Sequence, residues 1–126
     1  MINQIRKWDI YFCNLCPAQI QKEKIKNETE TTQCPRPVIV ISNDAVNYNL
    51  PVSAVIPLSS VAPDEKIYPT EVYLPSHITE LGKHSVAMIH QVGTMPHSRI
   101  FSKAGEITDE EYREKILYAI ELFFEL

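Results

Sequence analysis

The sequence predicts a small, mostly antiparallel β-barrel with one α-helix at its C-terminus, and three observations carry that expectation. Over most of the chain the apolar residues come in short runs rich in β-branched and aromatic side chains. Turn-forming residues bound these runs. Only the last segment, from Thr108 onward, repeats its apolar residues at helical spacing. A chain of 126 residues suits one domain built on one core, and no internal repeat or second-domain boundary interrupts it.

The elements follow in order. Trp8 to Leu15 (WDIYFCNL) is aromatic and apolar and reads as a first strand. Residues 17 to 35 are rich in Lys, Glu, Asn and Thr with no apolar period, which predicts a long polar loop, either functional or a plain surface insertion. Pro37 to Ser42 (PVIVIS) is the clearest buried strand, and Asn43, Asp44 and Asn47 then supply turn chemistry. Ser53 to Leu58 (SAVIPL) is another strand; Pro57 predicts an edge or a strand end, because proline cannot donate to a ladder. Glu71 to Leu74, Ser85 to Val92 and Ile100 to Ser102 add further strands. Thr108 with Glu111 fits a capping box. Asp109, Glu110 and Glu111 suit the positive end of the helix dipole, and Tyr112, Ile116, Ile120 and Phe123 form the stripe that would pack on the sheet.

Composition narrows the function classes. There is no apolar run long enough to span a membrane and no apolar signal region near Met1, so the expected compartment is the cytoplasm. Cys13, Cys16 and Cys34 are an odd count, read as thiols; the single C-x-x-C lacks a second ligand pair, and no metal is expected. With no Gly-rich phosphate loop, most nucleotide-dependent enzymes are removed and no cofactor is expected. The net charge of −4 argues against tight, non-specific binding to nucleic acid, yet acidic residues crowd the stretch from Glu106 to Glu125 and leave the remainder closer to neutral.

Three features can carry chemistry. In Cys34-Pro35-Arg36-Pro37, two prolines fix the backbone around one arginine, whose planar fork suits a phosphate; the plainer alternative is a salt bridge at a barrel rim. Ser59 and Ser60, at the end of SAVIPL, can donate to a phosphate oxygen or simply form a turn; neither sits in a G-x-S-x-G elbow. His90, followed by Gln91 and Thr94, is a proton carrier near neutral pH, or a structural strand histidine.

These features, in this order, resemble the MazF/PemK/Kid family of toxin endoribonucleases. Trp8-Asp9-Ile10-Tyr11 looks like its first strand, R-G-D-[IV]-Y. The run from Arg36 to Asp44 (RPVIVISND) is similar almost letter for letter to R-P-V-L-V-[IV]-S-N-D, and Val55 to Ser60 resembles V-x-P-[IL]-T-S. Ser85-Val86, Gln91, Thr94 and Arg99-Ile100 resemble its last conserved segment. The resemblance covers nearly the whole chain, and the RPV-ISND block is its most specific part. It implies an SH3-like barrel, a homodimer, metal-independent cleavage of single-stranded RNA, and an antitoxin partner whose disordered tail blocks the RNA groove. It also implies Arg36 and Ser59 as catalytic residues. His90 stands where one branch has a proton-transferring Asp, with Gln91, Thr94 and Ser60 as RNA contacts. Trp8 replaces the family's glycine, Ser59 its threonine, and Met88 and Gly93 two of its arginines. Those lost cations leave room for a non-catalytic relative, or for a barrel that acts on gyrase as the related CcdB toxins do.

Overall fold

The computed structural model describes residues 4–14, 35–62 and 64–126. The polar loop at 17–35 falls outside these except for Pro35, and Cys16 and Cys34 fall outside as well. The strands are β1 (Asp9–Asn14), β2 (Pro35–Val40), β3 (Val52–Ser60), β4 (Glu71–Leu74), β5 (Ser85–Met88), β6 (Gly93–Pro96) and β7 (Ile100–Glu106). The helices are α1 (Asp44–Asn49), α2 (Ser76–Thr79) and α3 (Glu110–Phe124), with 3-10 turns at Ile89–Gln91 and His97–Arg99. The strands run β4-β5-β3-β2-β1-β7, all neighbours antiparallel, and β6 pairs with the first half of β3. A mostly-β antiparallel sheet with a C-terminal helix is therefore what the chain forms. Among the described residues no ladder joins β4 to β7, so hydrogen bonding does not close the sheet into a ring.

The sheet is buried on both faces, which explains why β2 reads as an unbroken apolar run. Val38 and Val40 point into one cluster with Tyr11, Cys13, Val55, Met95 and Ile100, while Ile39 points into the other with Ile10, Ile56, Leu58 and Ile116 of α3. All three β2 residues are fully buried. Pro57 is a correction to the sequence reading: β3 is central and nine residues long, not ended by its proline. It faces Val38 on β2, but on its other flank it falls between the Val55–Gly93 and Leu58–Ala87 pairs, where β3 changes partner from β6 to β5. The handover gives a residue without an N–H its place in a central strand.

Five further expectations shift. Ser85 to Val92 is not one strand, because β5 stops at Met88 and a 3-10 turn carries Ile89–Gln91. Ile100 to Ser102 extends to Glu106. The helix cap is Asp109, whose carboxylate accepts from Glu111 N–H and Tyr112 N–H, so the Thr108 box does not form. Ile116 and Ala119 are buried and Tyr112 and Ile120 pack beside them, but Phe123 is 40% exposed because the last turn extends past the core. Trp8 precedes β1 rather than opening it. Its φ is +79°, a conformation that favours glycine, yet it holds a buried indole flanked by Lys7 and Arg113, 5.5 and 5.3 Å from the ring centre. The packing over-determines a backbone that costs on the order of 1–2 kcal/mol. At Gly105 a Cβ would lie 2.3 Å from the Thr79 carbonyl oxygen, so β7 meets α2 only because that side chain is missing.

Candidate functional site

Arg36 enters on β2 opposite Cys13 of β1, and Ser59 lies on β3 opposite Val86 of β5. Both strands end at one side of the sheet, and there they line a single groove of about 340 Å³. Ser60 and Ser85, directly paired across β3 and β5, and Lys83 add its other polar groups. Phe12, Pro35, Pro37, Leu58 and Leu81 make the apolar walls. Among the described residues none that lines the groove is acidic, in a chain whose net charge is −4. Among the described residues, one guanidinium, one ammonium and three hydroxyls make a donor-rich cleft suited to an anion.

Arg36 keeps its mobility limited through Pro35 and Pro37, which fix the backbone on either side. Among the described residues no salt bridge engages Arg36, Lys83 or Arg99. Among the described residues Ser59 Oγ donates only a long 3.5 Å bond, to the Ser60 carbonyl, which leaves its proton open to a ligand. Gly82, at φ +79°, makes the turn that delivers Lys83 to the groove. Cys13, beside Arg36 in the ladder, is fully buried; burial pushes its thiol up to about 11, against a smaller downward pull from Arg99. It fills a strand position as an inert thiol.

The residues after β5 go elsewhere. His90 and Gln91 occupy the exposed 3-10 turn and do not line the groove; His90 Nδ1 lies 3.2 Å from Thr70 Oγ1. Thr94 is exposed on β6 opposite Ala54, roughly 17 Å up β3 from Ser59 at about 3.4 Å per residue. Arg36, Ser59 and Ser60 are thus brought together; His90, Gln91 and Thr94 form a separate exposed stretch. Phe12, Lys83 and Ser85 are groove residues that sequence reasoning did not assign to the site. Phe12 read as strand core, and Lys83 lies in a turn more than twenty residues from Ser59, with no local pattern to mark it. Among the described residues no three His, Cys, Asp or Glu side chains converge on one point.

The second half of the RPVIVISND block does structural work instead. Asn43 caps α1 by accepting from Val46 N–H. Ser42 Oγ and Ser53 Oγ both donate to Asn47 Oδ1, at 2.5 and 2.7 Å, while Asn47 Nδ2 donates to the Ser42 carbonyl and to Asp44. Asp44 also accepts from Lys7 N–H at 2.8 Å. With its proton spent on Asn47, Ser53 Oγ accepts from His97 Nε2–H at 2.9 Å, which fixes the His97 tautomer. On β1, the buried Asp9 accepts from Arg6 N–H and Tyr11 Oη and pairs with Lys103 at 3.4 Å. Burial and the neighbouring Asp9 carboxylate push the Tyr11 phenol well up from its ordinary range.

Comparison with known proteins places this fold. Among solved structures the chain is similar to an endoribonuclease from a mycobacterial species, with a TM-score of 0.72 at 17% identity over 100% of this chain and 96% of that one. It is similar to MazF from Deinococcus radiodurans, with a TM-score of 0.72 at 20% identity over 98% of each. A mycobacterial endoribonuclease in complex with its cognate antitoxin gives 0.69 at 18% identity, over 97% and 96%. No curated protein matches the chain by sequence. The family model described as "PemK-like, MazF-like toxin of type II toxin-antitoxin system" matches residues 6–124. With nearly the whole sequence spanned by that match, the chain belongs to the PemK-like, MazF-like family of type II toxins.

Proposed function

We propose that the protein is the toxin of a toxin–antitoxin pair and acts as an endoribonuclease on single-stranded RNA without a metal ion. The observation that carries this is the groove that joins Arg36 to Ser59, with Lys83 and no acidic residue among its described lining. In the reaction the ribose 2′-hydroxyl attacks the adjacent phosphorus as its proton is removed. The P–O5′ bond breaks, a proton goes to the departing 5′ oxygen, and the products are a 2′,3′-cyclic phosphate and a 5′-hydroxyl. Arg36 neutralises charge on the non-bridging oxygens of the phosphorane, and its high basicity keeps it a cation throughout. Ser59 donates a hydrogen bond to one of those oxygens. Single-stranded substrate suits an open cleft, because an A-form duplex hides its bases in a groove that side chains cannot read.

Proton transfer goes to His90 on its chemistry rather than its position, since it lies outside the groove lining. RNA leaving the groove along β3 would meet His90, Gln91 and Thr94 in turn. The proposal also takes in an SH3-like barrel, a homodimer, the cytoplasm as compartment, and an antitoxin whose disordered tail blocks the RNA groove; the mycobacterial endoribonuclease in complex with its cognate antitoxin supports the antitoxin partner. The deciding experiment incubates purified protein with a long, weakly structured RNA in EDTA. Discrete fragments with cyclic phosphate ends are expected. Intact RNA together with inhibited DNA supercoiling would replace the proposal with a gyrase-binding one. For His90, an unchanged pH–rate profile in His90→Gln removes it from the mechanism.

A further inference from the structure

The groove offers more than one phosphate needs. Arg36 and Ser59 account for a single scissile phosphodiester, yet Lys83 lines the same cleft from beyond Ser60 and Ser85, and Phe12 lines it from β1. β2 and β5 flank β3 on either side, so their backbones stand roughly 10 Å apart at two inter-strand spacings. Two long cationic side chains reaching inward from that separation can meet successive phosphates of one strand. Phe12 is only half-buried although it sits on a strand whose neighbours Tyr11 and Cys13 are sealed, so part of its ring faces the cleft. Every base has a π-face for such a ring to cover. The cleft's volume, about 340 Å³, suits a small unit such as a single nucleotide rather than a long segment.

We propose that Lys83 grips the phosphate next to the scissile one and that Phe12 stacks on the base between them, so that the groove holds one whole nucleotide of the RNA. The inference rests on the endoribonuclease reading of the same groove. It makes Lys83 a substrate-binding residue that replaces, from the β5 side, cationic charge missing at Met88 and Gly93. A phosphate contact made equally in ground and transition states raises KM when lost and leaves kcat little changed.

The test uses full-length protein and an uncleavable 2′-O-methyl oligonucleotide whose sequence is taken from the wild-type cleavage products. Binding is measured across a range of salt concentrations. Lys83→Ala should lower the slope of log affinity against log salt by about 0.7, the value for one lost single-strand phosphate contact. Lys83→Arg should restore the slope. Phe12→Leu should weaken binding roughly tenfold or more, with Phe12→Trp retaining it. Melting curves establish that each variant is folded. If wild-type protein cleaves and binds RNA but Lys83→Ala keeps both its affinity and its salt slope, the inference is overturned and the nuclease reading stands. If wild-type protein neither cleaves nor binds, both fall together.

Discussion

Two polar regions of this molecule begin from the same stretch of sequence and end in opposite conditions. Around Asn47, the Ser42, Asp44, Ser53 and His97 side chains satisfy one another, bond for bond, inside the protein. At the groove, Arg36, Ser59 and Lys83 have almost no internal partners: one 3.5 Å bond from Ser59 is all that the described residues show. A polar group that the fold has already paired contributes to stability, and removing it strands its partner. A polar group held rigidly in place with its donors open can contribute little to stability, and it is kept for something outside the chain. The RPVIVISND block straddles both conditions, with its arginine on the open side and its Ser-Asn-Asp on the closed side.

Mutations should separate the two regions. Arg36→Ala is expected to lower RNA cleavage by about 10³-fold, as loss of a main charge-stabilising donor does, while leaving the melting temperature near the wild-type value; cleavage at the wild-type rate would place the chemistry elsewhere. Asn47→Ala should do the reverse. It strands Ser42 and Ser53 inside the fold and should cost about 2–3 kcal/mol in urea denaturation, with activity per folded molecule preserved. Ser59→Ala should reduce cleavage by about 10-fold to 10²-fold with little effect on stability, and Ser59→Thr should keep the activity because the hydroxyl stays. The smallest expected effect is on pH dependence. Cys13, raised to about 11 from 9.0, stays protonated in the folded protein while the unfolded chain ionises. The unfolded state therefore binds fewer protons, and stability is expected to fall as pH rises from about 9 to about 11. Tyr11, also raised, adds to the loss above its ordinary value of 10.0. Cys13→Val should remove part of that slope in a pH series of melting curves; an unchanged slope would place the effect on other groups.

Much of this was legible in the sequence wherever burial alone decides the pattern. β2 and the core of β3 could be read because both faces of the sheet are covered, and α3 because its stripe repeats. The ends of elements were not legible, since they depend on partners far away. Pro57 could be central only because β3 changes neighbours there, and Ile89–Gln91 turns because β6 must reach back to β3. The site divided along the same line. Arg36 and Ser59 stood out through local context, one between prolines and the other at a strand end. Phe12 and Lys83 join them only through the pairing of β1 with β2 and of β5 with β3, a relation no short window contains.

Trp8 is the single tryptophan of the chain, and its indole sits sealed between two cations where α3 meets the start of β1. Its fluorescence is therefore a built-in optical reporter of whether the helix is seated. Because the reporter lies apart from the groove lining, loss of the helix contact is expected to register in its emission, and a ligand in the cleft is expected to leave the colour of that light unaltered.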